Sequence, residues 1–141
     1  MMRPWYKIGL LVLLIFVLSG ICAAVYMFYL EEADSAVLKP DYVITAEDLQ
    51  KEFLDNEGSA SEKYVNKIVE VKGRISSIEP GEGSSINISL DTGTEISEVI
   101  CTLSSGNIPL KLKTGDVVTI RGRCSGYLMD VLLNNCAVIA F

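Results

Sequence analysis

Residues 122–136 concentrate the side chains that could do chemistry. Ser125, Tyr127 and Asp130 lie close together beside a glycine, in what reads as a tight turn. A serine nucleophile needs a neighbouring base, and the chain has no histidine, so a Lys, Asp or Glu would have to serve. In the alternative reading, Asp130 accepts backbone N–H bonds and Tyr127 packs over the end of the β-structure. The sequence favours this alternative, which predicts no enzyme and leaves Tyr127 and Asp130 as ligand-binding candidates.

Arg123 within this segment and Arg121 directly before it suggest a second chemistry, the binding of phosphate. With Lys72 and Arg74 they could form a basic stripe on adjacent strands. Binding of single-stranded nucleic acid also needs aromatic side chains that stack on bases. Residues 86–103, predicted to form two strands, contain no Phe, Tyr, Trp, Lys or Arg. The sequence therefore argues against nucleic acid but keeps Arg121 and Arg123 as ligand-binding candidates.

Metal and cofactor binding have few available ligands in this chain. It contains four cysteines and no histidine, and no two cysteines form a Cys-x-x-Cys pair. Structural zinc sites need four such ligands at close spacing. We therefore predict neither a metal site nor a cofactor.

An apolar segment of 23 residues, from Ile8 to Leu30, carries no charge, Pro or Asn. As a helix it spans roughly 34 Å, enough to cross the hydrocarbon core of a bilayer. A buried core helix would carry polar residues on one face, and a cleaved signal would have a shorter apolar region. Residues 18–22 resemble a lipoprotein cleavage box, but Ile21 stands where that box has a small residue. We predict an uncleaved single-pass anchor, with cleaved or lipidated forms as the alternatives.

The charges that flank the apolar segment set its orientation. Arg3 and Lys7 precede it, whereas three acidic residues follow it within four positions. Because positive residues stay on the cytoplasmic side, the N-terminus is predicted to lie inside. All 18 Asp and Glu but only ten of the 12 Lys and Arg follow the segment, so that part has a net charge of −8. We predict a cell inner-membrane protein whose acidic part is periplasmic or extracellular.

A helix is predicted to begin at Thr45, because residues 45–48 have the form of a capping box with Asp in place of Glu or Gln. Gln50 and the charged residues are assigned to its wet face. The helix is expected to run to about Tyr64, although residues 56–58, Asn-Glu-Gly, could interrupt it. The predicted buried face comprises the apolar residues at helical spacing, Leu49, Phe53 and Leu54.

From Ile68 the hydrophobic period changes to two, which indicates strands with one wet side. Gly73 and Gly122 lie inside two of these strands, each between basic residues, and an interior glycine suits a sharp bend. Two strands bent at matched points favour a small closed barrel. The fold class is therefore predicted as mainly β: a five-stranded OB-like barrel preceded by one α-helix, with an N-terminal transmembrane helix. The five predicted strands begin at Ile68, Ile86, Val99, Val117 and Met129.

The predicted organisation has four parts along the chain. A short cytoplasmic tail is followed by the transmembrane helix, by an acidic spacer broken by Pro40, and by the helix with its barrel. The parts comprise residues 1–7, 8–30, 31–44 and 45–141.

Several motifs within residues 41–141 resemble those of one known family. They are Asn56-Glu57, Ala60, Lys63-Tyr64, Lys67, Val71-Lys-Gly73, Ile78, Val99-Ile-Cys101, Gly115 to Gly122 and, most specifically, Cys124 to Cys136. On these residues the chain resembles the tRNA-anticodon-like OB-fold proteins of bacterial envelopes. The resemblance implies an OB barrel behind a lipoprotein signal or membrane anchor, in a family whose function is unassigned. The family's nucleic-acid label comes from fold analogy, and a fold does not fix function.

The resemblance also implies a disulfide between Cys124 and Cys136, which both belong to its most specific block, if the domain lies in an oxidising compartment. A simple hairpin argues against this bond. With a turn at residues 125–130, Cys124 lies opposite Val131 and Cys136 is roughly 16 Å further along the strand. A disulfide needs Cα atoms within about 7 Å. Pairing of Cys101 with either cysteine, and three reduced thiols, therefore stay open.

These observations predict a membrane-anchored, extracytoplasmic OB-fold binding module without catalytic activity. Its ligand is expected to be a protein, a peptide or a glycan that meets the barrel end formed by residues 125–130 and the neighbouring loops. The alternative function is an OB protein that binds single-stranded nucleic acid.

Overall fold

The computed structural model of the chain contains the five predicted strands in one of two compact units, Met1–Ala33 and Asp34–Phe141. Of the predicted tail and spacer, residues 1–3 and 32–37 lie outside the described residues. The structure describes residues 4–31, 38–104, 106 and 108–141.

The first unit consists of one long helix, α1, Trp5–Glu31. Among the described residues, one stretch, Trp5–Met27, is long and apolar enough to cross a membrane. Its apolar side chains are exposed. The helix could therefore span a bilayer, as predicted, whereas its orientation and its uncleaved state stay predictions.

The second unit is a barrel. Its strands are β1 Tyr42–Thr45, β2 Ile68–Pro80, β3 Ile86–Leu90, β4 Val99–Leu103, β5 Val117–Leu128 and β6 Asp130–Ala140. The strand order is β1-β2-β3-β4-β6-β5, and the additional pairing of β2 with β5 closes the barrel. Strands β2 to β6 are the five predicted strands, so the predicted fold class is confirmed.

Alternate residues of the strands fill the barrel. In β4, Val99, Cys101 and Leu103 are fully buried, and in β2, Val69 and Val71 are fully buried. Successive side chains of a strand point to opposite faces, so this alternation places one face of each strand in the core. The barrel core is therefore the part of the structure that the hydrophobic period specifies most directly.

Strand β1 is a sixth strand that the sequence did not predict. Residues 41–44 were expected to pack on the domain, but not to form a strand. Tyr42 pairs with Val69 in a parallel register, and the Asp41 carboxylate accepts a hydrogen bond from the Ile68 amide at 2.9 Å. A strand of four residues is too short to show a clear period of two, and its partner lies 27 positions away. This pairing holds residues 41–45 against the barrel.

The predicted single helix is corrected to two, α2, Ala46–Asp55, and α3, Glu57–Tyr64. Thr45 caps α2 as expected, because its hydroxyl accepts a hydrogen bond from the Asp48 amide at 3.2 Å. Asn56 has an extended backbone, and its side-chain oxygen accepts a hydrogen bond from the Ser59 amide at 3.0 Å. A side chain that satisfies a free N–H at a new helix start stabilises the break.

Two residues of the family-like motifs join α3 to its neighbours. The Tyr64 ring is buried, with its centroid 5.1 Å from that of Tyr42 and 6.0 Å from that of Phe53. Lys63 Nζ lies 2.9 Å from a carboxylate oxygen of Glu52 on α2 and 4.7 Å from the centroid of the Tyr64 ring. These contacts give the Lys63-Tyr64 motif a structural role between α2, α3 and β1.

The β5–β6 hairpin turns at Met129, and not across residues 125–130 as predicted. Gly126 instead belongs to a shift in the strand register and has a φ of 152°, a conformation that glycine adopts easily. A bulge and a turn use the same residue types, which is why the sequence suggested a turn there. As a result, Cys124 pairs with Leu133 rather than with Val131.

The two interior glycines allow close approaches to β2 and β5. A Cβ atom at Gly73 would lie 3.0 Å from Ala46 Cβ, at the start of α2, and 3.2 Å from Leu90 Cβ. A Cβ atom at Gly122 would overlap Cys136 Sγ. These glycines therefore let other elements pack directly against the strand backbone.

We predict that Gly122→Ala lowers the free energy of unfolding by about 1–3 kcal/mol, because it overpacks the contact with Cys136. Adding Cys136→Ala should recover part of this loss. Urea unfolding of the full chain in detergent, followed by the near-UV circular dichroism of its tyrosines, measures both. Gly58→Ala is the control, since its Cβ atom would meet only Asn56 Oδ1, at 3.6 Å, and alanine favours a helix. Wild-type stability in Gly122→Ala would contradict the packing described here.

Candidate functional site

A buried amide lies at the barrel end, where α2 meets two loops. Gln50 is 1% exposed, and its Nε2 donates to Ser97 Oγ at 2.7 Å and to the Met129 carbonyl at 3.3 Å. Tyr127 Oη lies 3.5 Å from the same nitrogen. One side chain thus links α2, the β3–β4 loop (residues 91–98) and the β5–β6 hairpin.

Helical spacing brings Gln50 inside, which corrects its predicted place on the wet face. The buried residues of α2 are Ala46, Leu49, Gln50 and Phe53, whereas Leu54, predicted as buried, is 58% exposed. The buried stripe of α2 therefore lies to one side of the predicted one. A polar residue between Leu49 and Phe53 was the only sequence signal for this role.

The Gln50 oxygen has no hydrogen-bond donor within the part of the chain that the structure describes. The amide cannot simply be turned over, because the Met129 carbonyl can only accept and must face the nitrogen. Leaving a buried acceptor without a partner costs about 1–3 kcal/mol. The barrel end therefore contains a fixed acceptor that a donor group would stabilise.

The β3–β4 loop is ordered by its own hydroxyl groups. Thr92 Oγ1 donates to the Ser97 carbonyl, and the Thr94 and Ser97 hydroxyls lie 3.1 Å apart. Thr92 and Ser97 are both buried. These bonds hold Ser97 Oγ where it accepts from Gln50.

Tyr127 and Asp130, the predicted site residues, both lie at this barrel end. The Tyr127 ring stacks on Phe53, with centroids 5.2 Å apart and an interplanar angle of 18°. Asp130 Oδ1 accepts a hydrogen bond from the Glu98 amide at 2.8 Å. Ser125 instead donates to the Leu132 carbonyl at 3.1 Å, and none of the described contacts joins it to Asp130 or Tyr127. The three residues therefore form no nucleophile–base pair.

The turn residue Met129 has a positive φ of 69°, which non-glycine residues rarely adopt. Its carbonyl accepts the Gln50 hydrogen bond, and the next residue, Asp130, is held by the Glu98 amide. Contacts from two other segments thus support an unfavourable backbone conformation at the hairpin tip.

A cavity of about 490 Å³ opens between α2 and the β3–β4 loop. Gln50 and Leu54 line it from α2, and Thr92 and Thr94 line it from the loop. The charged residues that line it are Glu47, Asp48, Lys51 and Asp55. Three carboxylates against one ammonium give the cavity a net negative charge.

Four large apolar side chains are exposed around the same barrel end. Leu54 lines the cavity, Ile96 precedes Ser97, and Leu128 and Met129 form the hairpin tip. Their exposed fractions are 58% for Leu54, 79% for Ile96, 78% for Leu128 and 66% for Met129. Exposed apolar side chains grouped at one end of a domain are typical of binding surfaces.

The structure does not bring Arg121 and Arg123 to this barrel end. Arg121 Nη2 lies 2.6 Å from a Glu70 carboxylate oxygen, and its Nη1 donates to the Leu38 carbonyl at 2.8 Å. Arg123 donates to the Asn66 carbonyl at 3.0 Å. Both arginines therefore make contacts within the fold, between β5 and the segments beside β2.

Cys124 and Cys136 are buried free thiols in the structure, which is one of the alternatives that the sequence left open. Cys124 in β5 pairs with Leu133 in β6. Cys136 lies three residues further along β6, so the two cysteines do not face each other across the hairpin. Burial raises the pKa of Cys124, and burial followed by a contact with Cys101 raises the pKa of Cys136. All three barrel thiols are buried in the core.

Among the described residues, no group of three or more His, Cys, Asp or Glu side chains could hold a metal ion. The candidate functional residues that the sequence analysis missed are Gln50 and Ser97, together with the cavity that Gln50 lines. The fold and this site together define the class of the protein: a small OB-fold domain with a concave barrel end and a helix that could anchor it in a membrane.

The family follows from the sequence. A family profile described as tRNA_anti-like matches residues 2–138, so the chain belongs to the tRNA_anti-like family. This match confirms the resemblance drawn from the motifs. A search of curated proteins finds no match to the chain.

Solved structures share the barrel. A lipoprotein of Klebsiella pneumoniae subsp. pneumoniae MGH 78578, described as a candidate nucleic acid-binding protein, is 23% identical with a TM-score of 0.55, covering 67% of this chain and 90% of its own. An Entamoeba histolytica asparaginyl-tRNA synthetase bound to asparaginyl-adenylate is 14% identical with a TM-score of 0.45, covering 72% and 24%. The likeness to the Klebsiella lipoprotein shows that the two proteins share a fold. The likeness to the synthetase is weaker and adds nothing to this conclusion.

We predict that the barrel loses stability as the pH rises above about 8.5, the pKa of an unperturbed thiol. Burial raises the pKa of Cys124 and Cys136 in the folded state, so above that pH the unfolded chain binds fewer protons than the folded one. The stability is fully present below the unfolded pKa and is lost by up to ~1.4 kcal/mol per pH unit and thiol. Urea unfolding at pH 7 and pH 9.5 in the presence of a reductant measures it.

The matched control for the pH dependence is Cys22→Ala, which lies in α1, outside the barrel, and should leave the slope unchanged. Cys124→Ala combined with Cys136→Ala should flatten it. An equal slope in the wild type and the double variant would show that the buried thiols do not cause the effect.

Proposed function

We propose that this chain is a membrane-anchored, non-catalytic OB-fold module that binds a protein, peptide or glycan outside the cytoplasm. The observation that carries the proposal is the barrel end, where the cavity is lined by Gln50, whose buried oxygen has no partner among the described residues, and by the exposed Leu54. An acceptor of this kind selects a polar group, and the apolar surface around it adds affinity.

The exposed apolar side chains at this barrel end favour one of the three ligand classes, a peptide segment of a protein. Leu54, Ile96, Leu128 and Met129 offer contact area without an aromatic platform for sugars, and Tyr127 stacks on Phe53 inside the fold. Tyr127 and Asp130 then support this binding surface. Tyr127 packs beneath it on Phe53. Asp130 holds the β3–β4 loop, because its carboxylate accepts a hydrogen bond from the Glu98 amide.

The membrane anchor determines the compartment in which the domain meets its ligand. Helix α1 could hold the chain in the cell inner membrane, and Arg3 and Lys7 favour a cytoplasmic N-terminus. The barrel unit would then face the periplasm or the cell exterior. A module tethered in this way meets partners that share its membrane or its compartment.

Among the described contacts, none pairs Ser125 with Tyr127 or Asp130 as nucleophile and base, which supports binding without catalysis. Ser125 donates to a backbone carbonyl, and Asp130 accepts from a backbone amide. A hydroxyl nucleophile needs a base within hydrogen-bond reach, and neither contact supplies one.

We predict that a photo-crosslinking amino acid placed at Ile96 or at Leu128 captures the same partner in the native membrane. Leu110 is the matched control: it is an exposed leucine in the β4–β5 connector, which leaves β4 at the end opposite the β3–β4 loop. Mass analysis should give one product common to positions 96 and 128 and absent from position 110. Equal products from all three positions, or none from 96 and 128, would contradict the proposed site.

A second candidate function is the binding of single-stranded nucleic acid, which the description of the Klebsiella lipoprotein favours. Strands β3 and β4 offer no aromatic or basic residue, and the Arg121 guanidinium is already bound to the Glu70 carboxylate. With the acidic charge of the domain, these features weaken attraction to phosphates. The electrostatics therefore argue for the first function.

We expect no binding of a labelled single-stranded oligonucleotide to the full chain in detergent at roughly 50 mM salt, where phosphate contacts are strong. Fluorescence anisotropy measures this. Binding that weakens steeply with salt and disappears in the Arg121→Ala, Arg123→Ala double variant would establish the second function instead.

A further inference from the structure

The cavity beside α2 combines two independent features that point to one kind of ligand. The first is Gln50, which lines the cavity and whose buried side-chain oxygen has no donor among the described residues. Its orientation is fixed because the amide nitrogen is bound to Ser97 and Met129. A group that satisfies this oxygen has to donate a hydrogen bond.

The second feature is the charge of the cavity wall. Within the described part of the chain, Glu47 and Asp55 take part in no ion pair, and Asp48 accepts a hydrogen bond from the Thr45 hydroxyl. Lys51 is the single cation of the wall. A ligand that carries positive charge is therefore favoured over a neutral or anionic donor.

The size of the cavity and the exposed apolar side chains at the same barrel end indicate that the hydrogen-bond donor belongs to a larger molecule. Its volume of about 490 Å³ lies within the usual range for ligand pockets, roughly 300–1,000 Å³. The exposed side chains of Ile96, Leu128 and Met129 lie at the same barrel end and would contact residues on either side of the donor. A basic side chain within a peptide segment meets all three conditions.

We propose that the cavity binds the cationic end of a basic side chain, a lysine ammonium or an arginine guanidinium, presented by a protein partner. The Gln50 oxygen accepts a hydrogen bond from this group, and the Glu47 and Asp55 carboxylates supply the charge. This inference rests on the proposed function, because it names the partner chemistry of the same barrel end.

The test uses the full chain in nanodiscs of phosphatidylcholine, whose lack of net charge keeps basic probes off the lipid. The probes are acetyl-Gly-Lys-Gly-amide, acetyl-Gly-Arg-Gly-amide and a norleucine peptide of the same length. Gln50 is the only glutamine in the sequence, so glutamine-selective ¹⁵N labelling reports its side-chain amide without overlap. We expect a saturable shift of this signal with one or both basic peptides and about tenfold weaker binding of the norleucine peptide.

Charge variants separate the cavity from the general acidity of the domain. Glu47→Gln with Asp55→Asn should weaken binding of the basic peptides about tenfold. Glu62→Gln with Glu79→Gln removes two charges from exposed positions that do not line the cavity, and should leave binding unchanged. Gln50→Met, if it folds, should abolish binding; if it does not fold, the charge variants decide.

Equal binding of the norleucine peptide, equal losses in both double variants, or no shift at all would overturn the inference. The proposed function is judged separately by crosslinking at positions 96 and 128. A common crosslinked partner without binding of basic peptides would refute the cavity chemistry alone. Peptide binding without a crosslinked partner would refute the proposed function and keep the cavity as a cation site.

Discussion

The hydrogen bonds of the Gln50 amide nitrogen hold the barrel end together. This nitrogen binds Ser97 in the β3–β4 loop and the Met129 carbonyl at the hairpin tip, so one side chain joins three segments that are distant in sequence. Burial of a polar group without a hydrogen bond is costly, so the bonds of this nitrogen make the position of α2 over the barrel specific. The same bonds leave the amide oxygen without a partner among the described residues, and the proposed binding surface follows from that constraint.

Much of the fold could be predicted because its signals are local. The period of two in residues such as Val69, Val71 and Cys101 gave the buried face of each strand. The cap at Thr45 located the start of α2, and the length of the apolar segment located α1. Each of these signals depends on neighbours within one element, so it is present in the sequence before the chain folds.

The rest depends on contacts between distant elements. Gln50 looked solvated because its polarity fits a wet face, and only Ser97 and Met129 make its burial favourable. The geometry of the possible Cys124–Cys136 disulfide also depends on such a contact, because the register of β5 with β6 sets Cys124 beside Leu133. From the sequence alone, Arg121 is predicted to be a cation available for a ligand. In the fold it is paired with Glu70, which is 51 positions away in the chain.

Hydrogen exchange of the Gln50 side-chain amide tests the central claim most directly. Because Gln50 is the only glutamine, its amide protons can be followed by selective labelling in the full chain. If the nitrogen is buried and bonded as described, these protons should exchange at least about a hundredfold more slowly than the exposed side-chain amide of Asn56. Exchange of both amides at the same rate would contradict the account, because α2 would then not be held to the barrel end through Gln50.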